Sequence, residues 1–190
     1  AKCADLLRLF LSMEPRCVPF HQLPGVSRLA ADFASDFGKV ADLYGLSPYI
    51  PDSYNVAAGR VDYPSERRAA LVEALAAQNP GHPALETLAR PGVFVVATGQ
   101  QAGLLAGPAY TIYKALTAAR LAGDLTARGL PTVPVFWMAT EDHDFSEVNH
   151  CHVYDAAHRP VRIEAPGEGG RRPVGRVVVG GDPAGDLRGA

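Results

Sequence analysis

Three stretches decide the fold: Val93-Phe-Val-Val-Ala97, Thr98-Gly-Gln-Gln-Ala-Gly-Leu-Leu-Ala-Gly107-Pro-Ala-Tyr-Thr-Ile-Tyr-Lys114, and Val133-Pro-Val-Phe-Trp-Met-Ala139 followed by Thr140-Glu-Asp-His-Asp144. The first is a continuous β-branched and aromatic run without alternation, the mark of a strand buried on both faces. Pro108 to Ala127 reads as a helix. Pro108 suits the first helical position, where a missing N–H is no loss, and Gly129 supplies the stop. Val133 to Ala139 is a second buried strand, with Pro134 tolerable only near its start and Trp137 assigned to the core. Strand, crossover helix and strand within about fifty residues make a parallel βαβ unit, expected to be right-handed. The fold class is therefore α/β, with a Rossmann-like parallel βαβ core.

In such a core the carboxyl ends of both strands lie on one edge, which brings two polar segments together. Gly99, Gly103 and Gly107 permit positive φ and a close approach of ligand to backbone. Unpaired N–H groups and the dipole at the helix start favour an anion. Tyr110 and Lys114, four apart, share one helix face, while Thr98, Gln100, Gln101 and Thr111 add hydroxyl and amide groups. Thr98, Gly99, Gln100, Gln101, Gly103, Gly107, Tyr110 and Thr111 are accordingly the candidate substrate- or nucleotide-binding residues. After the second strand, His143 sits between Asp142 and Asp144, so a carboxylate can hold its tautomer or stabilise imidazolium. Asp142, His143, Asp144 and Lys114 are the candidate catalytic residues, suited to general-base work or to gripping an amine or sugar hydroxyl. The plainer alternative is a tight Gly-rich connection followed by a solvated acidic turn.

Neither standard phosphate motif is present. G-x-G-x-x-G is absent, and the P-loop pattern fails because Gly107 is followed by Pro-Ala. A simple NAD or P-loop site is thereby excluded. His143, His150, Cys151 and His152 are rich in potential ligands, and His150 and His152 would share one strand face, but the spacing matches no closed zinc pattern. No metal ligand is assigned. A metal-dependent, deacetylase-like hydrolase using His143, His150 and His152 stands as the alternative function, and a nucleotide-binding module without chemistry as a third.

Outward from this core, Leu29, Phe33, Phe37, Val40 and Leu43 recur at helical spacing between Val26 and Tyr44, and Gly45, Pro48 and Pro51 then make an irregular connector. Ser65 to Gln78 is the clearest early helix, with Ser65 as cap, Glu66 at its positive end and an apolar stripe of Leu71, Val72 and Leu75. A short helix over Pro83 to Ala89 follows. Beyond the core, Val148 to Tyr154 and Val161 to Ile163 read as an inserted β-hairpin, and Val177 to Val179 as a further strand. The expected organisation is a possible non-native extension over residues 1–12, N-terminal helices and Rossmann-like core over 13–145, and the truncated start of an inserted connecting segment over 146–190. Met13 reads like a natural start, and the chain is expected to be a fragment.

The 190 residues are 47% hydrophobic and 20% charged, with a formal net charge of -2 and a pI near 6.3. That is globular composition, and it lacks the basic excess that nucleic acid or an anionic membrane requires. Cys3, Cys17 and Cys151 are widely spaced with no CxxC pair, which fits free thiols in a reducing compartment. The apolar stretch Leu6 to Met13 is too short to span a bilayer. A cytoplasmic protein acting on small molecules is expected.

The two long motifs, Ala97 to Ala118 and Val135 to His150, together with Met13-Glu-Pro-Arg-Cys17 and Arg172-Pro-Val-Gly-Arg176, resemble the bacillithiol biosynthesis cysteine-adding enzymes, the BshC family, over approximately Met13 to Arg176. The resemblance implies addition of cysteine to glucosaminyl malate, the last step of bacillithiol synthesis. It implies a Rossmann-like core akin to class I synthetases and admits ATP as an activating cosubstrate, with no cofactor fixed. By that analogy the loop Thr98 to Gly107, with Tyr110, Thr111 and Lys114, lines the core site, and Asp142, His143 and Asp144 face it. The class I histidine signature is missing, its place taken by Gly107-Pro-Ala-Tyr110. The family also implies a homodimer through a C-terminal coiled coil that is absent here, so the fragment is expected to lack ligase activity alone.

Overall fold

The computed structural model describes residues 17–167, 169–182 and Gly185. The expected extension over residues 1–12 lies outside them. The chain divides into two compact units between Val61 and Asp62.

In the first unit the helical periodicity of Val26 to Tyr44 does not produce one helix. Helix α1 (Arg28–Ser35) is capped by Ser27, whose Oγ accepts from the Ala30 N–H at 3.2 Å. The backbone breaks at Asp36 (φ -151°, ψ 69°), turns through a 3₁₀ segment at Phe37–Lys39 and resumes as α2 (Ala41–Tyr44), which Gly45 ends at φ 71°. The cause is aromatic packing. The Phe33 and Tyr44 rings meet at 4.7 Å and both approach Phe37. A straight helix would hold residues 33 and 44 roughly 16 Å apart, so bringing these rings into contact requires the break. The expected irregular connector also contains a helix, α3 (Asp52–Gly59), which Pro51 opens. The Tyr54 hydroxyl ties it back to the Pro48 carbonyl at 2.9 Å.

The second unit holds the βαβ core. Helices α4 (Ser65–Gln78) and α5 (Ala84–Leu88) pack together, and Leu71, Val72, Leu75 and Ala84 cover a buried cluster of Leu88, Val93 and Val133. Ser65 is the first helical residue rather than the cap; that place falls to Pro64, without a side-chain hydrogen bond. The Arg68 guanidinium donates to the Leu88 carbonyl at 3.0 Å, satisfying the end of α5.

Strands β1 (Phe94–Gln101) and β2 (Thr132–Ala139) pair in parallel, Phe94 opposite Thr132 through Gln101 opposite Ala139. Helix α6 (Ala109–Ala127) crosses between them, burying Ala118, Ala122 and Leu125. Its last turn closes as a Schellman motif: Gly129, at φ 86°, donates to the Thr126 carbonyl, and Leu130 donates to that of Leu125. Thr126 Oγ then accepts from the Thr132 N–H at 3.0 Å, so the helix end aims the chain into β2.

Two expectations are corrected here. The strands are not buried on both faces: Trp137 is 63% exposed and Met138 59%, because two strands and one crossover helix leave the carboxyl half of β2 uncovered in this unit. Trp137 is therefore a surface residue of this chain. The strand expected at Val177 to Val179 does not form; those residues follow a 3₁₀ turn (Val174–Arg176), and Val178 is exposed. The hairpin does form. Its strands β3 (His150–Tyr154) and β4 (Pro160–Glu164) pair antiparallel after a one-turn helix α7 (Phe145–Val148). Asp155 organises its turn, accepting from the Ala157 and Arg159 N–H groups, each at 2.9 Å. Among the described residues no helix is long and apolar enough to cross a membrane.

These burial differences yield a paired prediction. Leu88→Ala should cost this chain about 2–5 kcal/mol in urea unfolding, whereas Trp137→Ala should cost less than about 0.5 kcal/mol. Emission from Trp137, the one tryptophan of the chain, should be that of a solvated indole and readily quenched.

Candidate active site

The parallel register sets Gln101 beside Ala139, the last residue of β2, so the turn after β2 carries Asp142 over the end of β1. A helical turn then lifts Glu147 to the same place. Asp144 caps that turn: its Oδ1 accepts from the Glu147 N–H at 3.2 Å and from the Ser146 hydroxyl at 2.7 Å. Gln101 joins the two segments, its Nε2 donating to Asp142 Oδ2 and to Glu147 Oε2, each at 2.9 Å.

Gln101 is one link of a longer chain. Lys114 Nζ donates to Gln100 Oε1 at 2.8 Å and to the Gly99 carbonyl at 3.2 Å; Gln100 Nε2 donates to Gln101 Oε1 at 3.0 Å. An ammonium can only donate and a carboxylate can only accept, so the two ends dictate the orientation of both amides. The result is a run of aligned dipoles from a cation to two anions. Lys114 also lies 5.3 Å from the centre of the Tyr110 ring, and the Tyr110 hydroxyl accepts from Gln100 Nε2 at 3.3 Å.

Beside this chain lies a pocket of about 360 Å³, within the range of small-molecule sites. Gln100 and Gln101 form its floor, with Gly103, Gly107, Pro108 and Tyr110 from the loop and the start of α6. The hairpin segment contributes Glu147, Val148 and His150. One oxygen of Glu147 is taken by Gln101, while Oε1 has no hydrogen-bond partner among the described residues.

The loop folds tightly over itself. A Cβ on Gly103 would lie 2.7 Å from the Gly107 Cα, and Gly107 adopts φ 68°, ψ -151°, a region closed to other residues. Leu105 and Ala106 also have positive φ. Beneath the loop, the Thr111 hydroxyl is buried with no hydrogen-bond partner among the described residues. The segment Thr98 to Gln101, expected to open this loop, continues β1 instead.

The expected site residues thus divide. Gln100, Gln101, Gly103, Gly107 and Tyr110 line the pocket. Thr98, Gly99 and Thr111 are not on its wall, nor is Lys114, which stands behind Gln100. Asp142 anchors Gln101, Asp144 caps α7, and the His143 side chain is exposed without a hydrogen bond among the described residues. Sequence reading did not assign Glu147, Val148 or Pro108 to the site, and considered His150 only as a metal ligand. The signal for Glu147 was the Asp144-Phe-Ser-Glu147 spacing, a helix-start pattern that places an acid one turn beyond its cap. The metal set does not assemble. The His150 and His152 rings do meet edge to face at 5.5 Å, but no group of three or more His, Cys, Asp or Glu among the described residues could hold a metal ion.

Asp142 is held below the usual carboxylate range, first by the Gln101 amide, then by the backbone N–H groups of Asp144 and His143. A carboxylate whose value is lowered on folding adds stability that is present above its ordinary value and lost as pH falls through the lowered one. The Asp142 side-chain carboxyl carbon resonance should therefore titrate at lower pH than that of a free aspartate, and Gln101→Ala should raise its midpoint, which carbon-detected NMR would check. Separately, Gly107→Ala should lower stability by about 1–3 kcal/mol, measured by urea unfolding.

Comparison with known proteins places this arrangement in context. Residues 13–185 match the family described as bacillithiol biosynthesis BshC, N-terminal Rossmann-like domain. The chain is similar to the Solibacter usitatus protein named "Putative cysteine ligase BshC", 47% identical over 93% of this chain and 34% of that protein. Proteins of the same name from Koribacter versatilis and Desulforamulus reducens are 40% and 34% identical, over 73% and 82% of this chain and 27% and 29% of their own lengths. The chain spans about a third of the length of these curated relatives.

Proposed function

This chain belongs to the bacillithiol biosynthesis BshC family through its N-terminal Rossmann-like domain, and from that premise we propose that it supplies the substrate pocket of a ligase joining cysteine to glucosaminyl malate, the last step of bacillithiol synthesis. The observation that carries the reading is the acidic wall of the pocket. Glu147 presents one free carboxylate oxygen, and Asp142 adds a second negative charge through the shared Gln101 amide. A protonated amine is the natural occupant of such a wall.

The chemistry requires it. Amide formation needs the cysteine carboxyl activated, here with ATP as the activating cosubstrate, and attacked by the acceptor's amine. Cysteine carries an amine of its own that would compete. Held as an ammonium on Glu147, that amine has no lone pair and cannot attack. The Lys114–Gln100–Gln101 chain keeps the Gln101 amide turned toward the carboxylates, so Glu147 keeps its position whether or not substrate is present. Lys114 in this reading is a positioning residue. The reading further takes the full-length protein to be a cytoplasmic homodimer joined through a C-terminal coiled coil. Exposed Cys17 and buried Cys151, both free thiols, are consistent with a reducing compartment.

The test uses the full-length protein that carries this domain, supplied with cysteine, ATP and glucosaminyl malate. The expected product has the mass of acceptor plus cysteine less water. Glu147→Gln should raise KM for cysteine by roughly tenfold to a hundredfold, the loss of one charge-assisted hydrogen bond, and leave KM for the acceptor unchanged. Lys114→Met should raise the same KM by a smaller factor. No product with ATP, or an unchanged cysteine KM in both variants, would overturn the proposal.

A further inference from the structure

His150 opens β3 on the wall of the pocket, and its hydrogen bonds determine its tautomer. Its Nδ1 lies 3.1 Å from Asn149 Oδ1. The orientation of the Asn149 amide follows from its other end, where Nδ2 donates to Glu164 Oε1 at 3.1 Å. Glu164 is a carboxylate paired through Oε2 with Arg162 at 3.0 Å, so it can only accept. Asn149 must therefore turn its nitrogen to Glu164 and its oxygen to His150, and Nδ1 of His150 must carry the proton. In the neutral ring the lone pair is then left on Nε2, and no hydrogen bond among the described residues engages that nitrogen. An imidazole in a ligand pocket with its tautomer set by a second side chain is the arrangement general-base catalysis uses.

We propose that His150 is the general base that deprotonates the amine of the acceptor, with Asn149 and Glu164 as its positioning residues. The identity of the acceptor as an amino sugar rests on the ligase reading above; the tautomer and the free Nε2 do not. The step is a proton transfer. One N–H bond of the acceptor's ammonium breaks, its electron pair remains on nitrogen as the nucleophilic lone pair, and the proton binds Nε2 to give imidazolium. This divides the labour between two groups lining one pocket: Glu147 keeps one amine protonated and His150 strips the other. The charged and titratable groups around the ring are Glu147 and Tyr110 in the pocket, His152 on the same strand face, and Glu164 with its partner Arg162 on β4. The 3₁₀ turn Leu104–Ala106, which packs on β3, brings none.

The tautomer is measurable in this chain by long-range proton–nitrogen correlation on histidine-labelled protein, with His150→Gln assigning the signals. The expected spectrum at mildly alkaline pH has a protonated Nδ1 and an unprotonated Nε2, the reverse of the form free imidazole side chains prefer. Asn149→Asp should keep that form and Asn149→Leu should revert it. Addition of glucosamine as the amine probe should shift Nε2 and leave Nδ1 nearly still. A protonated Nε2 in the unaltered chain, or no response of Nε2 to glucosamine, overturns the proposal. In the full-length enzyme His150→Gln should lower kcat by roughly 10²–10⁴-fold with KM for cysteine unchanged, and Asn149→Asp should move the acidic limb of the pH–rate profile, which a purely structural residue would not. If the tautomer and the glucosamine response hold while no cysteine adduct forms, the ligase reading fails and the base assignment stands. If the adduct forms while Nε2 is protonated, the base assignment alone fails.

Discussion

A cation at one end and two carboxylates at the other impose direction on everything between them at the carboxyl edge of this sheet. Lys114 has only donors to offer, Asp142 and Glu147 only acceptors, and the amides of Gln100 and Gln101 have one orientation that satisfies both ends. The two middle links, Gln100 to Gln101 and Gln101 to Asp142, are part-buried, and there each dipole polarises the next more strongly than in open water. The chain ties β1, α6 and the segment after β2 into one unit. It also engages the Gln101 amide nitrogen with both carboxylates, leaving Glu147 Oε1 without a hydrogen-bond partner among the described residues.

The rest of the edge follows from the parallel register. Because Gln101 lies opposite Ala139, the turn after β2 has to pass over the end of β1, and a single capped helical turn delivers Glu147 and then His150 to the pocket. The glycine loop closes the other side by backbone contact: a Cβ on Gly103 would strike the Gly107 backbone, and Gly107 itself holds a positive φ. The pocket thus has closely packed backbone on one side and oriented polar groups on the other, the arrangement of a preorganised site. The same register leaves the carboxyl half of β2 bare, and the exposure of Trp137 and Met138 is the direct consequence of a sheet with two strands.

Much of this was legible in the amino-acid order. The unbroken apolar runs, the glycine loop and the Gly129 stop marked the βαβ unit, and two short strand candidates around a polar turn marked the hairpin. Of the loop residues singled out by sequence, Gln100, Gln101, Gly103, Gly107 and Tyr110 line the pocket and Thr98, Gly99 and Thr111 do not, since a Gly-rich strand-to-helix connection narrows the region of a pocket without saying which side chains face it. Legibility failed where side chains from distant positions compete. The Phe33, Phe37 and Tyr44 cluster broke a helix that periodicity alone favoured, since contact among the rings outweighs a few residues of helical propensity. In the same way, the proximity of His143 to two aspartates along the chain said nothing about which of the three faces a cavity.

What the sequence determined by itself is the local chemistry: which segments become strands and helices, where glycine must sit, and which polar groups collect at the edge of the sheet. These depend on periodicity, φ preferences and short spacing, all of them written in consecutive residues. The tertiary structure decided the roles. Only register and packing could place Lys114 behind Gln100, give Asp144 to a helix cap, and join Glu147 to Asp142 through Gln101. The tautomer of His150 likewise hangs on Glu164, fourteen positions away in sequence and opposite it in the hairpin. Hydrogen-bond direction is a property of partners in space, and no reading along the chain can supply it.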